Sequence, residues 1–230
     1  MSLLNLLMKM VKRALNKTAP EGGVSLPLHN HPTPLSMASQ PIRLIAGLGN
    51  PGPDYEQTRH NAGFWLLDKL AEQHHLSFRT ESKHHGQVCK LNLQGEEVRL
   101  LKPATFMNRS GQAVASLANY FRIQPQEILV VHDELDLEPG QARLKTGGGH
   151  AGHNGLRDIM SVLGKREFHR LRIGIDHPND RAAVVNYVLG RPSKEHRTSI
   201  DQAIDKAIDS LPMIVKGDLQ LAMNRLHSSR

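Results

Sequence analysis

Residues 42–75 read IRLIAGLGNPGPDYEQTRHNAGFWLLDKLAEQHH, and this stretch decides the fold. The segment IRLIAG is a nearly unbroken apolar run, as expected of a strand covered on both faces. From Ala62 onward the apolar residues return at helical spacing. A buried strand followed by an amphipathic helix opens an α/β layered domain. The loop Gly47-Leu48-Gly49-Asn50-Pro51-Gly52 between them fits G-x-G-x-x-G, the pattern of a dinucleotide fingerprint. A dinucleotide site, however, needs its helix to begin inside the glycine motif, so that the helix N-terminus faces the pyrophosphate. Here Pro51, Gly52, Pro53 and Asp54 prolong the loop, and the helix is expected only near Asn61 or Ala62. A nicotinamide-dependent oxidoreductase is therefore the lesser reading.

Working outward, GQVCKLNL and EEVRLLKP read as two short strands turning at Gln94-Gly95, so the sheet is expected to be mixed. A helix around Gly111–Phe121, a strongly apolar strand EILVVHD, a strand ARLKT, a helix after Asn154 and a strand HRLRIGID continue the alternation. Beyond Pro192, Ile200, Ile204, Ile208 and Leu211 form one helical stripe, which implies packing onto the core. The expected architecture is a single α/β domain over residues 42–230. Residues 1–41 read as an N-terminal extension, either disordered or a short amphipathic helix. Its apolar and basic start, LLNLLMKMVKRALNK, has no acid before Glu21, as in an organellar transit peptide or a membrane-surface anchor, although serine and arginine are sparse for a transit peptide. A cytoplasmic location is expected, with an organellar one as the alternative if the extension is a transit peptide.

The chain of 230 residues carries a net charge of +7, which favours polyanionic partners. Lys9, Lys12, Arg13 and Lys17 against Glu21 place three of these charges in the extension, so RNA binding by the main domain would need a local basic patch. Lys145, Arg143, Arg170 and Arg172, at alternate positions on two expected strands, are candidates for it. No apolar run approaches membrane-spanning length. The single cysteine, Cys89, excludes an intrachain disulfide and reads as a packed strand residue.

Chemistry-bearing side chains recur where strands end or helices begin. Asn50 leaves the first strand, and Thr58-Arg59-His60-Asn61 opens the first helix. Asp133 follows four apolar residues at the mouth of a buried strand, where a carboxylate can orient an imidazole. Thr105-Phe106-Met107-Asn108 and the glycine-rich run Gly147–Gly155 are built alike, and the glycines suit close approach of a ligand or an anion nest. Fourteen histidines invite a metal site, with His84-His85 and His150/His153 as candidates. Without H-E-x-x-H or a cysteine or carboxylate cluster, no metal is expected, and without G-x-S-x-G no serine nucleophile.

Four blocks, GLGNPGPDYEQTRHNAGF, KPATFMNRSG, VVHDELDLEPG and GGGHAGHNGLRDI, resemble in order the signature blocks of bacterial peptidyl-tRNA hydrolases. The resemblance covers the chain from Ile42 to about Arg225. It implies a twisted mixed sheet flanked by helices in a monomer that needs no cofactor or metal and acts off the membrane. It also implies hydrolysis of the ester between a peptide and the end of tRNA, recycling tRNA from peptidyl-tRNA. By the same resemblance His60 is the base that activates water and Asp133 the acid that holds its ring. Asn50, Tyr55, Met107, Asn108 and Asn154 then contact substrate, and Lys145 and Arg172 meet the phosphate of the tRNA end. An RNA-binding relative that has lost hydrolysis is the main alternative, and intact His60 and Asp133 speak against it.

Overall fold

The apolar run that opens the domain becomes β1 (Leu44–Gly47), the central strand of a seven-stranded mixed sheet. The computed structural model describes residues 40–178 and 180–228, so the expectation for residues 1–41 lies outside the described residues except at Gln40 and Pro41. On one side β1 pairs in parallel with β4 (Glu96–Pro103), which continues antiparallel to β3 (Gly86–Leu93) and then β2 (Arg79–Glu81). On the other side it pairs in parallel with β5 (Ile128–Glu134), then β7 (His169–Gly174), and the antiparallel β6 (Ala142–Thr146) forms that edge. The β3–β4 hairpin turns through Gln94 and Gly95 at φ 56° and 89°, the left-handed pair that a two-residue turn demands.

Alternation along the strands feeds two apolar layers. Ile45, Leu129 and Val131 face α1 (Ala62–Gln73) and α5 (Lys194–Lys216), where Ile200, Ile204, Ile208 and Leu211 are all buried. Leu44, Ala46, Ile128 and Val130 face α2 (Ser110–Phe121) and α3 (Asn154–Leu163). Each fully buried Leu or Ile contributes about 1.5–3 kcal/mol, so the central strands are held from both faces. Cys89 is buried on β3, as expected, and burial pushes its thiol up to about 11. The strand expected to run to Asp176 ends at Gly174, because Asp176 turns away at φ 68°. Three elements carry no signal in the sequence reading: the three-residue β2, the short α4 (Val184–Val188), and α6 (Leu219–His227), which packs along the β6 edge.

Gly63 sets how closely α1 seats on the sheet. A Cβ there would lie 2.4 Å from both the Leu48 nitrogen and the Val131 carbonyl oxygen, closer than atoms can approach. This seating brings the turn before α1 over the C-terminal ends of β1 and β5, where open α/β sheets form their sites.

Candidate active site

That turn, the 3₁₀ segment Arg59–Asn61, assigns a separate task to each of its residues and to Thr58. The Thr58 hydroxyl donates to the Tyr55 carbonyl at 2.8 Å, closing the loop on itself. Arg59 reaches across the fold and donates through Nη1 to the carbonyls of Tyr187, Gly190 and Arg191 at 3.2, 3.3 and 3.0 Å. Its guanidinium also lies 4.0 Å from the centre of the Tyr187 ring, so one buried cation ties the C-terminal end of α4 to the turn. Asn61 grips the glycine loop: its amide donates to the Asn50 carbonyl at 2.9 Å and its oxygen accepts from the Asn50 N–H at 2.8 Å.

His60 is the residue left facing the cleft. Its Nδ1 lies 2.9 and 3.0 Å from the two carboxylate oxygens of Asp133, at the end of β5. A carboxylate accepts, so Nδ1 carries the proton and Nε2 keeps its lone pair, the tautomer a general base requires. A second imidazole meets the same carboxylate: His153 Nε2 is 3.1 Å from Asp133 Oδ1. The tautomer of His153 is fixed independently, because its Nδ1 caps α3 by accepting from the backbone nitrogens of Gly155 and Leu156 at 3.1 and 3.3 Å. Its Nε2 must therefore donate to Asp133. A third ring, His132, donates from Nδ1 to the Asp133 backbone carbonyl at 2.6 Å. Its buried Nε2 has no partner among the described residues.

Charge follows from this packing. Burial opposes the charge on Asp133, but His60 and His153 outweigh it and hold the carboxyl well below the usual carboxylate range. Burial also works to lower the pKa of His60, and the Asp133 charge and hydrogen bond overcome it, leaving His60 raised above its ordinary value. His132 receives no comparable help; burial, with His153 beside it, pushes it down to about 3, so this ring is neutral. His60, Asp133 and His153 bring ligand-type atoms within 4.8 Å of one another, which is close enough for a metal ion. Neither ring turns a lone pair toward Asp133, however, and the His153 lone pair is spent on α3.

The amides differ in how firmly they are held. Asn50 is buried, and its Oδ1 accepts from the Met107 backbone N–H at 2.8 Å. Since an N–H can only donate, the orientation of the amide is settled, and its NH₂ lines the cleft with no partner among the described residues. Met107 is buried against Gly155, where a Cβ would stand 2.6 Å from its sulfur. Asn108 and Asn154 are exposed and line the same cleft of about 630 Å³, and Arg157 donates to the Asn154 oxygen. Exposed Phe106 forms one apolar wall, and Val185 and Leu189 form the other. Tyr55 does not line the cleft; it supports Phe106 edge-on at 6.1 Å between ring centres.

The four basic residues of β6 and β7 share one face, with Arg143 opposite Arg172 and Lys145 opposite Arg170. They are not equally available. Arg170 is buried and donates to the carbonyls of Gly147 and Gly149, so this part of the glycine run presents oxygen, not N–H, to its neighbour. Arg172 spends Nε on Glu134 at 2.7 Å and keeps its terminal nitrogens, while Lys145 is exposed. The contributions of Arg59, His132 and His153 were missed from sequence; His153 had been singled out only as a metal-ligand candidate, and its capping of α3 emerges from the structure.

A family model described as peptidyl-tRNA hydrolase matches residues 44–230. The chain is 57% identical over 188 residues to the peptidyl-tRNA hydrolase of Pectobacterium atrosepticum, a match covering 81% of this chain and 96% of that protein. It is 55% identical over 190 residues to that of Neisseria meningitidis serogroup C, covering 83% and 99%. Among solved structures, peptidyl-tRNA hydrolase from Acinetobacter baumannii superposes with a TM-score of 0.80 at 48% identity, covering 82% of this chain and 96% of that one.

Proposed function

The chain belongs to the peptidyl-tRNA hydrolase family and hydrolyses the ester between a peptide and tRNA, and from that premise we propose how its residues divide the work. His60 Nε2 takes a proton from water, and the resulting hydroxide attacks the ester carbonyl. The single observation that carries this assignment is the 2.9 Å contact between His60 Nδ1 and Asp133, which leaves Nε2 as the lone pair facing the cleft. The negative charge that develops on the carbonyl oxygen is met by the Asn50 NH₂, a donor that cannot titrate near neutral pH and is already oriented by Met107. Collapse of the tetrahedral intermediate breaks the bond to the ribose oxygen, and the proton held by His60 passes to that oxygen. Free tRNA and a peptide carboxylate leave, and recycled tRNA returns to translation.

Asn108 and Asn154 hydrogen-bond the peptide backbone, which every peptide shares, and the apolar walls accept varied side chains. Tyr55 acts through Phe106. Lys145 and the free end of Arg172 meet the phosphate of the tRNA end, supported by the common face on which the β6–β7 register sets them. The reaction is metal-free in this reading, supported by the protonated ring nitrogens that face Asp133. The enzyme works as a monomer in the cytoplasm; among the described residues no helix is long and apolar enough to cross a membrane. Residues 42–230 form the catalytic domain and residues 1–41 an extension dispensable for hydrolysis, in keeping with a family match that begins at residue 44.

The test is release of tRNA from a labelled N-acetylaminoacyl-tRNA with chelator present throughout. Release by the wild-type protein supports the scheme. Binding without release would instead assign the chain to RNA binding alone, and loss of release on adding chelator would overturn the metal-free reading.

A further inference from the structure

A second cavity, of about 560 Å³, lies away from these residues, between β2, β3, β4 and the C-terminal half of α2. Its floor is apolar, made by Val88, Leu117 and Phe121, and its rim carries Arg79, Lys83, Lys90 and Arg99 against Glu81. Two of these cations have an acid nearby: Glu97 lies 2.8 Å from Arg99 and 3.6 Å from Lys90. Arg79 and Lys83 have no carboxylate partner among the described residues. Two further groups are buried and incompletely used. Arg99 is stacked 3.7 Å from the centre of the Phe121 ring, and its Nε has no hydrogen-bond partner among the described residues.

His84 is the other, and its tautomer can be assigned. The Ser116 hydroxyl donates its one proton to the Lys83 carbonyl at 3.1 Å. It must therefore accept from His84 Nδ1, 3.0 Å away, which leaves the lone pair on Nε2. That atom is buried without a partner among the described residues, and the ring is kept neutral by burial and by Lys83. A buried acceptor left without a donor costs stability, so its retention beside a cavity points to a ligand that supplies one.

We propose that this cavity is a second binding site, for a nucleotide: the phosphate meets Arg79 and Lys83, and the base lies on the apolar floor and donates an N–H to His84 Nε2. The three requirements select together. A simple anion would use the rim but leave the floor and His84 empty, whereas an apolar ligand would leave facing it Arg79 and Lys83, the latter resting 4.7 Å from the Tyr120 ring centre and neither neutralised by a carboxylate among the described residues. A nucleotide carries a phosphate, a flat apolar face and edge N–H donors in one molecule. It comes either as a free mononucleotide or as one residue of an RNA strand, and the chemistry of the site is the same for both.

The test uses the full chain with AMP, adenosine and inorganic phosphate as calorimetric probes, beside Arg79→Ala and Lys83→Ala. AMP is expected to bind more tightly than either adenosine or phosphate, and each variant is expected to weaken it by about tenfold, the loss of one charge-assisted contact. His84→Phe, which removes the acceptor but keeps an aromatic ring, should weaken AMP while leaving inorganic phosphate unchanged. Hydrolysis of N-acetylaminoacyl-tRNA by these variants should match the wild-type protein, which separates failure of this site from failure of the catalytic scheme. A short oligoribonucleotide binding more tightly than AMP, with the same sensitivity to the variants, would identify the source as RNA; the reverse order would identify a free nucleotide. No binding at millimolar AMP, or binding that survives Arg79→Ala and Lys83→Ala together, would overturn the proposal.

Discussion

The two cavities use buried histidines in opposite ways. At the ends of β1 and β5, the buried Asp133 carboxylate turns His60 and His153 each to a defined face, while the Asp133 backbone carbonyl does the same for His132. In the cavity beside β2, no carboxylate among the described residues contacts His84, and a serine hydroxyl sets its tautomer instead. A carboxylate raises the basicity of the imidazole it holds, as at His60, whereas burial with a neutral partner lowers it, as at His84. The first arrangement suits proton transfer, and the second suits accepting a hydrogen bond.

The contrast is broken most severely at His60. His60→Ala is expected to lower kcat by about 10⁴-fold, the upper range for a lost general base, while tRNA binding is kept; kcat measured beside a filter-binding Kd checks both. Asp133→Asn follows with a loss of about 10³-fold, because an amide can donate to Nδ1 and favour the wrong tautomer. Asn50→Asp keeps the acceptor for the Met107 N–H but removes the donor to the substrate, and steady-state kinetics should show kcat lower by about 10²-fold. Gly63→Ala tests the seating of α1 and is expected to cost about 1–3 kcal/mol in a denaturant melt, the usual penalty for overpacking. The smallest effect sharpens the comparison from the other side: Lys83→Ala should leave hydrolysis unchanged.

Much of this organisation was legible in the sequence, for identifiable reasons. β1 and β5 are buried on both faces, so their apolar runs announce them, and the residues that leave their ends, Asn50 and Asp133, were found with them. Gln94-Gly95 marked the hairpin because only a left-handed pair fits there. The glycine loop was separated from a dinucleotide fingerprint by its prolines, and the helix does begin at Ala62.

What the sequence did not show depends on contacts between distant segments. Arg59 reaches carbonyls 128 to 132 positions away, and no local pattern encodes such a clamp. Asp133 meets His153 twenty positions on, only because β5 and the start of α3 converge at the cleft. The basic patch was read from alternate spacing, and the register does place its members on one face. Spacing could not reveal that Arg170 would be consumed by the Gly147 and Gly149 carbonyls, or that Arg172 would pair with Glu134. β2 and α4 are too short for a periodic signal, yet α4 forms a wall of the cleft.

The central claim is that Asp133 holds His60 as a base of raised pKa. Its most direct test is the pH dependence of kcat/KM for N-acetylaminoacyl-tRNA, which reports ionisation in the free enzyme. Only neutral His60 accepts a proton, so activity must fall as pH drops through the pKa of His60. The account predicts a single acidic limb above about 6.5, the ordinary imidazole value, and a limb shifted to lower pH in the residual activity of Asp133→Asn. A wild-type limb at or below the ordinary value, or one that Asp133→Asn leaves in place, would contradict it.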